Sequence, residues 1–175
     1  GGADIITTGN AVQTVNAGAG NDSITLGFAG QTINGEGDDD SVYSTGAFLV
    51  GASLDGGTET DTLFITDISA NMNTATSIVN FEIVTLSASG TTFVANNDAT
   101  LTITGSGGSD TITVGDAGQV VNAGNGNDII VVTNAQFNAG MDVDGGNDSD
   151  TLRISDQAAL VDAQDCRRNR RRIGR

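Results

Sequence analysis

Aspartates recur along the chain at a regular spacing, and their carboxylates could bind metal ions. The first three follow one another at intervals of eighteen residues, and a second series with similar spacing begins after residue 105. Carboxylates are ligands that Ca²⁺ prefers, whereas Mg²⁺ demands a stricter octahedron and fits less well. Seven aspartates share this placement and are the candidate metal ligands: Asp4, Asp22, Asp40, Asp61, Asp110, Asp128 and Asp150. The alternative is that they are solvated turn residues, because Asp favours turns in any case.

The composition argues against catalysis. The 175 residues include no His and no Lys, and Cys166 is the single cysteine. A Ser-His-Asp triad, an imidazole metal site and a lysine Schiff base are therefore excluded, as are an internal disulfide and a thiolate zinc site. Neighbouring acids such as Asp38 and Asp39 resemble a glycosidase pair, but such a pair needs two different environments beside a cleft. We expect no enzymatic activity.

The charge distribution predicts which partners the chain avoids. All 22 acidic residues lie within residues 1–165, and the net charge is −15. Such an acidic body should repel nucleic acid and anionic membranes. The longest aliphatic stretch, residues 129–132, is far shorter than the roughly 20 residues of a membrane span. We therefore expect no nucleic-acid partner and no membrane span.

A repeat of nine residues predicts the elements that position the aspartates. An aliphatic residue stands two positions after each aspartate, and a glutamine occupies the aspartate position in alternate repeats, at Gln13, Gln31 and Gln119. Alternating segments such as residues 110–114 are typical of short strands, and the Gly-rich segments between them are typical of tight turns. Two strands and two turns make a coil of about eighteen residues, so the sequence predicts an all-β stack of coils, a parallel β-roll or β-solenoid.

Stacking places the aspartates of successive coils close together. Neighbouring coils lie about 4.8 Å apart. At an effective dielectric constant near 20, two carboxylates at that distance repel by about 3 kcal/mol. A bare row of aspartates should therefore not form, and we expect several Ca²⁺ ions to lie among these carboxylates and the carbonyls of the glycine turns.

The turn sequences resemble a known repeat. AGAGNDSIT (residues 17–25), GSGGSDTIT (105–113) and AGNGNDIIV (123–131) are similar to the repeats-in-toxin (RTX) nonapeptide G-G-x-G-x-D-x-U-x, where U is a large aliphatic residue. GGTETDTLF (56–64) and GGNDSDTLR (145–153) match with one glycine replaced. NGEGDDDSV (34–42) matches only if one residue is inserted in the turn, which makes Asp39 and Asp40 rival ligands.

The resemblance implies a right-handed parallel β-roll with Ca²⁺ held between the turns of successive coils. It implies that the seven aspartates are ligands and that turn glycines offer carbonyl oxygens. These glycines are Gly18, Gly20, Gly35, Gly37, Gly124 and Gly126. Because the neutral Gln13, Gln31 and Gln119 stand where the family has Asp, we expect calcium chiefly along one edge.

The repeats divide the chain into four segments. Residues 1–66 and 105–157 are predicted to be two calcium-binding β-roll blocks, and residues 67–104 to be divergent, calcium-poor coils with a helical turn near residues 69–77. Residues 158–175 comprise a truncated coil and an Arg-rich end. That end is interpreted as disordered or as a cloning scar, with binding to an anionic partner as the alternative. The chain opens inside a repeat, as expected for a piece of a longer array without a signal peptide.

The function expected from this pattern is structural. RTX proteins generally leave bacteria by type I secretion, so the resemblance implies an extracellular or cell-surface segment that folds on binding Ca²⁺. A surface-layer or adhesin protein, with coil ends that stack on neighbouring solenoids or on another copy, is the first hypothesis. The alternative is the C-terminal calcium-folding module of a type I-secreted hydrolase. Outward threonines such as Thr102 permit a third, an ice-binding face, although Thr is a common strand residue.

Overall fold

Short strands dominate residues 1–156, the part of the chain that this computed structural model describes. The strands in this part are β1 (Ile5–Thr7), β2 (Thr14–Ala19), β3 (Ser23–Thr25), β4 (Thr32–Gly37), β5 (Ser41–Ser44), β6 (Ser53–Asp55), β7 (Thr62–Ile65), β8 (Ser69–Asn71), β9 (Ser77–Val79), β10 (Ile83–Leu86), β11 (Thr92–Val94), β12 (Thr102–Thr104), β13 (Thr111–Thr113), β14 (Val120–Asn122), β15 (Ile129–Val132), β16 (Asp142–Asp144) and β17 (Thr151–Ile154). Helices α1 (Gly46–Leu49) and α2 (Asn134–Ala139) and a 3₁₀ turn (Met72–Thr74) lie between strands.

The strands stack as a parallel β-solenoid of about seven turns. An eight-stranded sheet runs the length of the stack in the order β1-β3-β5-β7-β10-β12-β14-β16. A four-stranded sheet has the order β2-β4-β6-β9, and a five-stranded sheet has the order β17-β15-β13-β11-β8. All three sheets consist of parallel pairs in regular register, as in Ile6↔Ile24 and Ile24↔Val42. The predicted fold class is confirmed.

The coils are not all eighteen residues long. Equivalent aspartates are 18 residues apart in the first coils but 21 or 22 apart where a helix is inserted. Helix α1 fills the connection from β5 to β6, and α2 fills the connection from β15 to β16. Thr45 and Thr133 cap the helices by accepting a backbone N–H bond, and Gly140 ends α2 in the left-handed conformation. The helical turn expected near residues 69–77 is present as the 3₁₀ turn.

The core is a column of aliphatic side chains between the sheets. Alternate strand residues point inward, so Ile24, Val42 and Leu63 stack in successive rungs and are fully buried. The two largest fully buried side chains, Phe81 and Phe93, both lie in the central coils. These coils, residues 67–104, continue the same sheets through β8 to β12.

The partner of the eight-stranded sheet changes along the stack. Strands β2, β4, β6 and β9 of the four-stranded sheet face it in the first half, and the strands of the five-stranded sheet alternate with it from β10 onward. After β11 the chain returns to the eight-stranded sheet at β12 without adding a strand to the four-stranded sheet. The aspartate turns precede strands of the eight-stranded sheet in the first half of the chain and therefore precede strands of the five-stranded sheet after residue 105.

The predicted segment 158–175 lies outside the described residues.

Candidate functional site

The aspartates of the first half form a hydrogen-bonded ladder at the start of the strands of the eight-stranded sheet. In each rung, the backbone N–H of one aspartate donates to the Oδ1 of the aspartate one coil later. The N–H···O distances are 2.7 Å for Asp4 to Asp22, for Asp22 to Asp40, and for Asp40 to Asp61. Glu82 ends the ladder, because it accepts from the N–H of Asp61 at 2.8 Å. The four aspartates predicted for this row are therefore brought together.

A second ladder runs through the other three aspartates. It lies at the C-terminal ends of the strands of the eight-stranded sheet, whereas the first ladder lies at their N-terminal ends. The N–H of Asp110 donates to Asp128 at 2.7 Å, and the N–H of Asp128 donates to Asp150 at 3.0 Å. These residues follow the C-terminal ends of β12, β14 and β16 and precede β13, β15 and β17. The expectation that the aspartates share a single edge differs from the structure, because the central coils shift the repeat by half a coil.

Most of the Asp turns share one backbone conformation. The residues four and two positions before the aspartate have a positive φ, of 106° at Gly18 and 111° at Gly20, and of 103° at Gly124 and 117° at Gly126. These are four of the six glycines predicted from the sequence. Glycine adopts this region at no steric cost, so these turns explain the glycine spacing.

The turn before β5 differs from the sequence alignment. Strand pairing sets Gly18 against Glu36, so no residue is inserted, and the left-handed positions are Glu36 at 82° and Asp38 at 71°. Gly35, five residues before Asp40, lies so close to the Oδ2 of Asp40 that a Cβ at position 35 would overlap this oxygen. Gly37 has neither role. The positions equivalent to Gly18 and Gly20 are therefore Glu36 and Asp38, and not Gly35 and Gly37. That Gly35 and Gly37 offer carbonyl ligands stays a prediction.

The structure also separates the rival ligands Asp39 and Asp40. Asp40 is the rung of the ladder and is buried, with 1% of its surface exposed. Asp39 is exposed, and its Oδ1 accepts from the N–H of Thr60 at 2.9 Å. Asp40 is thus the residue equivalent to Asp22 and Asp61.

Four of the ladder carboxylates carry a buried oxygen with no hydrogen-bond partner among residues 1–156. In each case the Oδ1 atom accepts the ladder bond and the Oδ2 atom is left without a partner, in Asp22, Asp40, Asp61 and Asp128. Each of these side chains is at least 98% buried. A buried, unpaired carboxylate oxygen is strongly unfavourable, so these atoms need a proton, a water molecule or a cation.

The electrostatics of the ladder agree with that need. Burial raises the pKa of Asp61 from 3.8 to about 6, and the charges of Asp40 and Glu82 add to the effect. Burial likewise raises the pKa of Asp40 and of Asp128, with further contributions from neighbouring aspartates in each ladder. Desolvation and like-charge repulsion both disfavour the ionised form. Each ladder is therefore a place where positive charge is favoured.

The glutamine turns show the same position without this deficit. Gln31 is fully buried, and its amide nitrogen donates to the carbonyls of Gly9 and Ala11 in the preceding coil. The amide nitrogen of Gln119 donates to two carbonyls at 2.8 Å, and its Oε1 accepts from the N–H of Gly115. A neutral amide supplies both a donor and an acceptor. The amide nitrogens donate to the main chain rather than to another glutamine.

Several acidic residues in the turns were not predicted as metal ligands from the sequence. Glu36, Asp38, Glu59 and Asp148 have φ between 71° and 82°, where a side chain is strained. Asp38 and Glu59 form an outer ladder, since they accept from the N–H groups of Gly20 and Asp38 respectively. Their distance from the rung aspartate, two or four residues, is the signal that could have revealed them.

Side chains alone do not build a metal cluster. Within residues 1–156, no three acidic side chains converge as a group that could hold a metal ion. A cation between two rungs would therefore take most of its ligands from main-chain carbonyls. Nor does this part of the chain contain a helix of the length and apolarity needed to cross a membrane.

Comparison with protein-family models, curated proteins and solved structures gave no match.

Proposed function

We propose that the chain is a calcium-dependent structural segment of a secreted bacterial cell-surface protein. The observation that carries the proposal is the set of four buried carboxylate oxygens without a hydrogen-bond partner in the described part of the chain, in Asp22, Asp40, Asp61 and Asp128. The Oδ2 atoms of Asp40 and Asp61 lie close to Gly35 and Gly56 of their own turns. Main-chain carbonyl groups of such turns can complete a cation's ligand shell. Ca²⁺ suits such a site because it accepts six to eight oxygens in flexible geometry.

The glutamine turns support the choice of ligands. The amide of Gln31 bonds to the carbonyls four and two residues before Gln13. The corresponding carbonyls for Asp40 belong to Gly18 and Gly20, two of the positions predicted from the sequence. Aspartate is one methylene shorter than glutamine and has no donor, so a cation beside Asp40 would take the place that the amide nitrogen has beside Gln31.

Binding at these sites would be coupled to folding. In a metal-free chain the ladder carboxylates repel one another, and the 25 glycines make ordering costly in entropy. A cation that binds the folded form and not the unfolded chain adds its binding free energy to stability. Such a chain would stay extended at low calcium during export and fold at millimolar calcium outside the cell, which suits a rod-like segment of a surface-layer or adhesin protein.

The ends of the rod suit contact with other solenoid segments. At the N-terminal end, Ile5 is 90% exposed and Val12 is 68% exposed. Within residues 1–156, β1 and β17 are edge strands of their sheets, and the backbone groups along such an edge can pair with a further strand. Neighbouring coils of a longer protein, or a second copy, would cover both surfaces.

Calcium titration of the demetallated protein, followed by far-ultraviolet circular dichroism, tests the proposal. We expect β signal to appear cooperatively as calcium rises into the millimolar range, and much less signal with Mg²⁺. An identical, fully ordered spectrum with chelator and with calcium would contradict it.

A further inference from the structure

One Asp turn in the second ladder is built differently from the others. Asp110 occupies a rung like Asp128 and is buried to the same extent, with 1% of each exposed. Yet both of its carboxylate oxygens have partners. Its Oδ1 accepts from the N–H of Thr91 at 2.6 Å, and its Oδ2 accepts from the N–H of Ser106 at 2.7 Å.

The hydroxyl of Ser106 completes this arrangement. Its Oγ lies 2.9 Å from Oδ2 and 3.0 Å from Oδ1 of Asp110, so it bridges the carboxylate. Two donors therefore lie on the oxygen that is unpaired in Asp128. Hydrogen bonds to a charged acceptor are the stronger kind, and they stabilise the ionised carboxylate without a metal.

The backbone of the turn differs as well. Four residues before the rung, Gly18, Gly57, Gly124 and Gly146 have a positive φ, whereas Ser106 does not. Gly108, two residues before Asp110, also lacks the positive φ of Gly126 in the next coil. The N–H of Ser106 can turn toward its own aspartate because this turn lacks the left-handed pair.

We infer that Ser106 excludes a cation from the Asp110 rung, so that Asp110, alone among the buried rungs, does not bind calcium. The inference rests on the proposed function. Within the second ladder, calcium binding begins at Asp128, and the Asp110 turn is held by hydrogen bonds alone. GSGGSD and AGNGND each lack one glycine of the nonapeptide, but only GSGGSD lacks the second, the position that Ser106 occupies.

The test counts bound ions in the full chain at saturating calcium, by native mass spectrometry and equilibrium dialysis. We expect Asp128→Asn to lose at least one ion and Asp110→Asn to lose none. Ser106→Gly gives the turn the residue found at four equivalent positions, and it should bind one ion more than the original chain. This third variant keeps every carboxylate, so the inference stays testable if Asp110→Asn does not fold.

The possible results separate the inference from the proposal on which it rests. If Asp110→Asn loses an ion as Asp128→Asn does, or if Ser106→Gly leaves the count unchanged, the role of Ser106 is refuted while calcium binding stands. If the original chain binds no calcium at all, the proposed function fails.

Discussion

Replacing Asp61 by Asn should change stability in opposite directions with and without calcium. In the metal-free protein, Asp61 is fully buried, and its pKa is raised from 3.8 to about 6. At pH 7 that shift corresponds to a destabilisation of about 3 kcal/mol, at 1.36 kcal/mol per pKa unit. Asn keeps an oxygen that can accept the N–H of Asp40 but carries no charge. The metal-free variant should therefore be more stable, by up to about 3 kcal/mol.

With calcium the sign should reverse. Asn replaces a charged ligand by a neutral one, so calcium binds more weakly at this rung. A ligand at 100 times its Kd stabilises the folded state by about 2.7 kcal/mol, and most of that contribution at this site would be lost. The same substitution should thus raise the unfolding free energy in chelator and lower it in calcium.

Guanidinium chloride unfolding at pH 7, once with a chelator and once with millimolar calcium, measures the change in unfolding free energy under both conditions. If the metal-free protein is too unstable to give a baseline, an excluded osmolyte such as trimethylamine N-oxide is added to every sample. The matched control is Asp142→Asn, at an exposed aspartate of β16 several strands away from Asp61 in the same sheet, which should change either value by less than about 0.5 kcal/mol. A change of the same sign in both conditions would refute the reasoning that a cation offsets the buried charge.

Two further predictions concern pH and the glutamine turns. The raised pKa of Asp61 contributes stability to the metal-free fold below pH 3.8, and this contribution is lost as the pH rises through about 6. Chelated protein should therefore unfold more easily at pH 7 than at pH 5. A rise in the unfolding free energy over that interval would be inconsistent with this reasoning. Gln119→Ala removes three hydrogen bonds to the main chain, so it should lower the unfolding free energy by about 2 kcal/mol or more without altering the number of bound calcium ions. Gln13→Ala removes one such bond at an exposed site and should lower the unfolding free energy by less than about 1 kcal/mol. Urea unfolding and ion counting check this pair.

The regular part of the fold was predictable from the sequence because its signal is local. Aliphatic residues two positions after each aspartate give the inward rungs, and Ile24 and Ile112 are buried as that spacing predicts. The glycines at the left-handed positions, such as Gly18 and Gly124, are visible because few other residues adopt that conformation. The ladder aspartates follow from the same repeat.

The differences arise where the structure depends on distant contacts. The change of edge between the two ladders results from the central coils, where β11 leads directly to β12, and the repeat carries no mark of it. The register of the turn before β5 follows from pairing with β2, which sets Glu36 beside Gly18. The partners of Asp110 depend on the side-chain and backbone conformation of Ser106, which a match to a motif does not report.

The change of edge has a mechanical consequence for a rod under tension. If ions clamp one flank of the stack up to Asp61 and the other flank from Asp128 onward, no continuous seam of ions runs from end to end. The coils between them, which contain Phe81 and Phe93, would transmit the load through side-chain packing and sheet hydrogen bonds alone. Pulled from its two ends, such a rod would act as two ion-stiffened springs in series, joined by a segment whose strength does not vary with calcium.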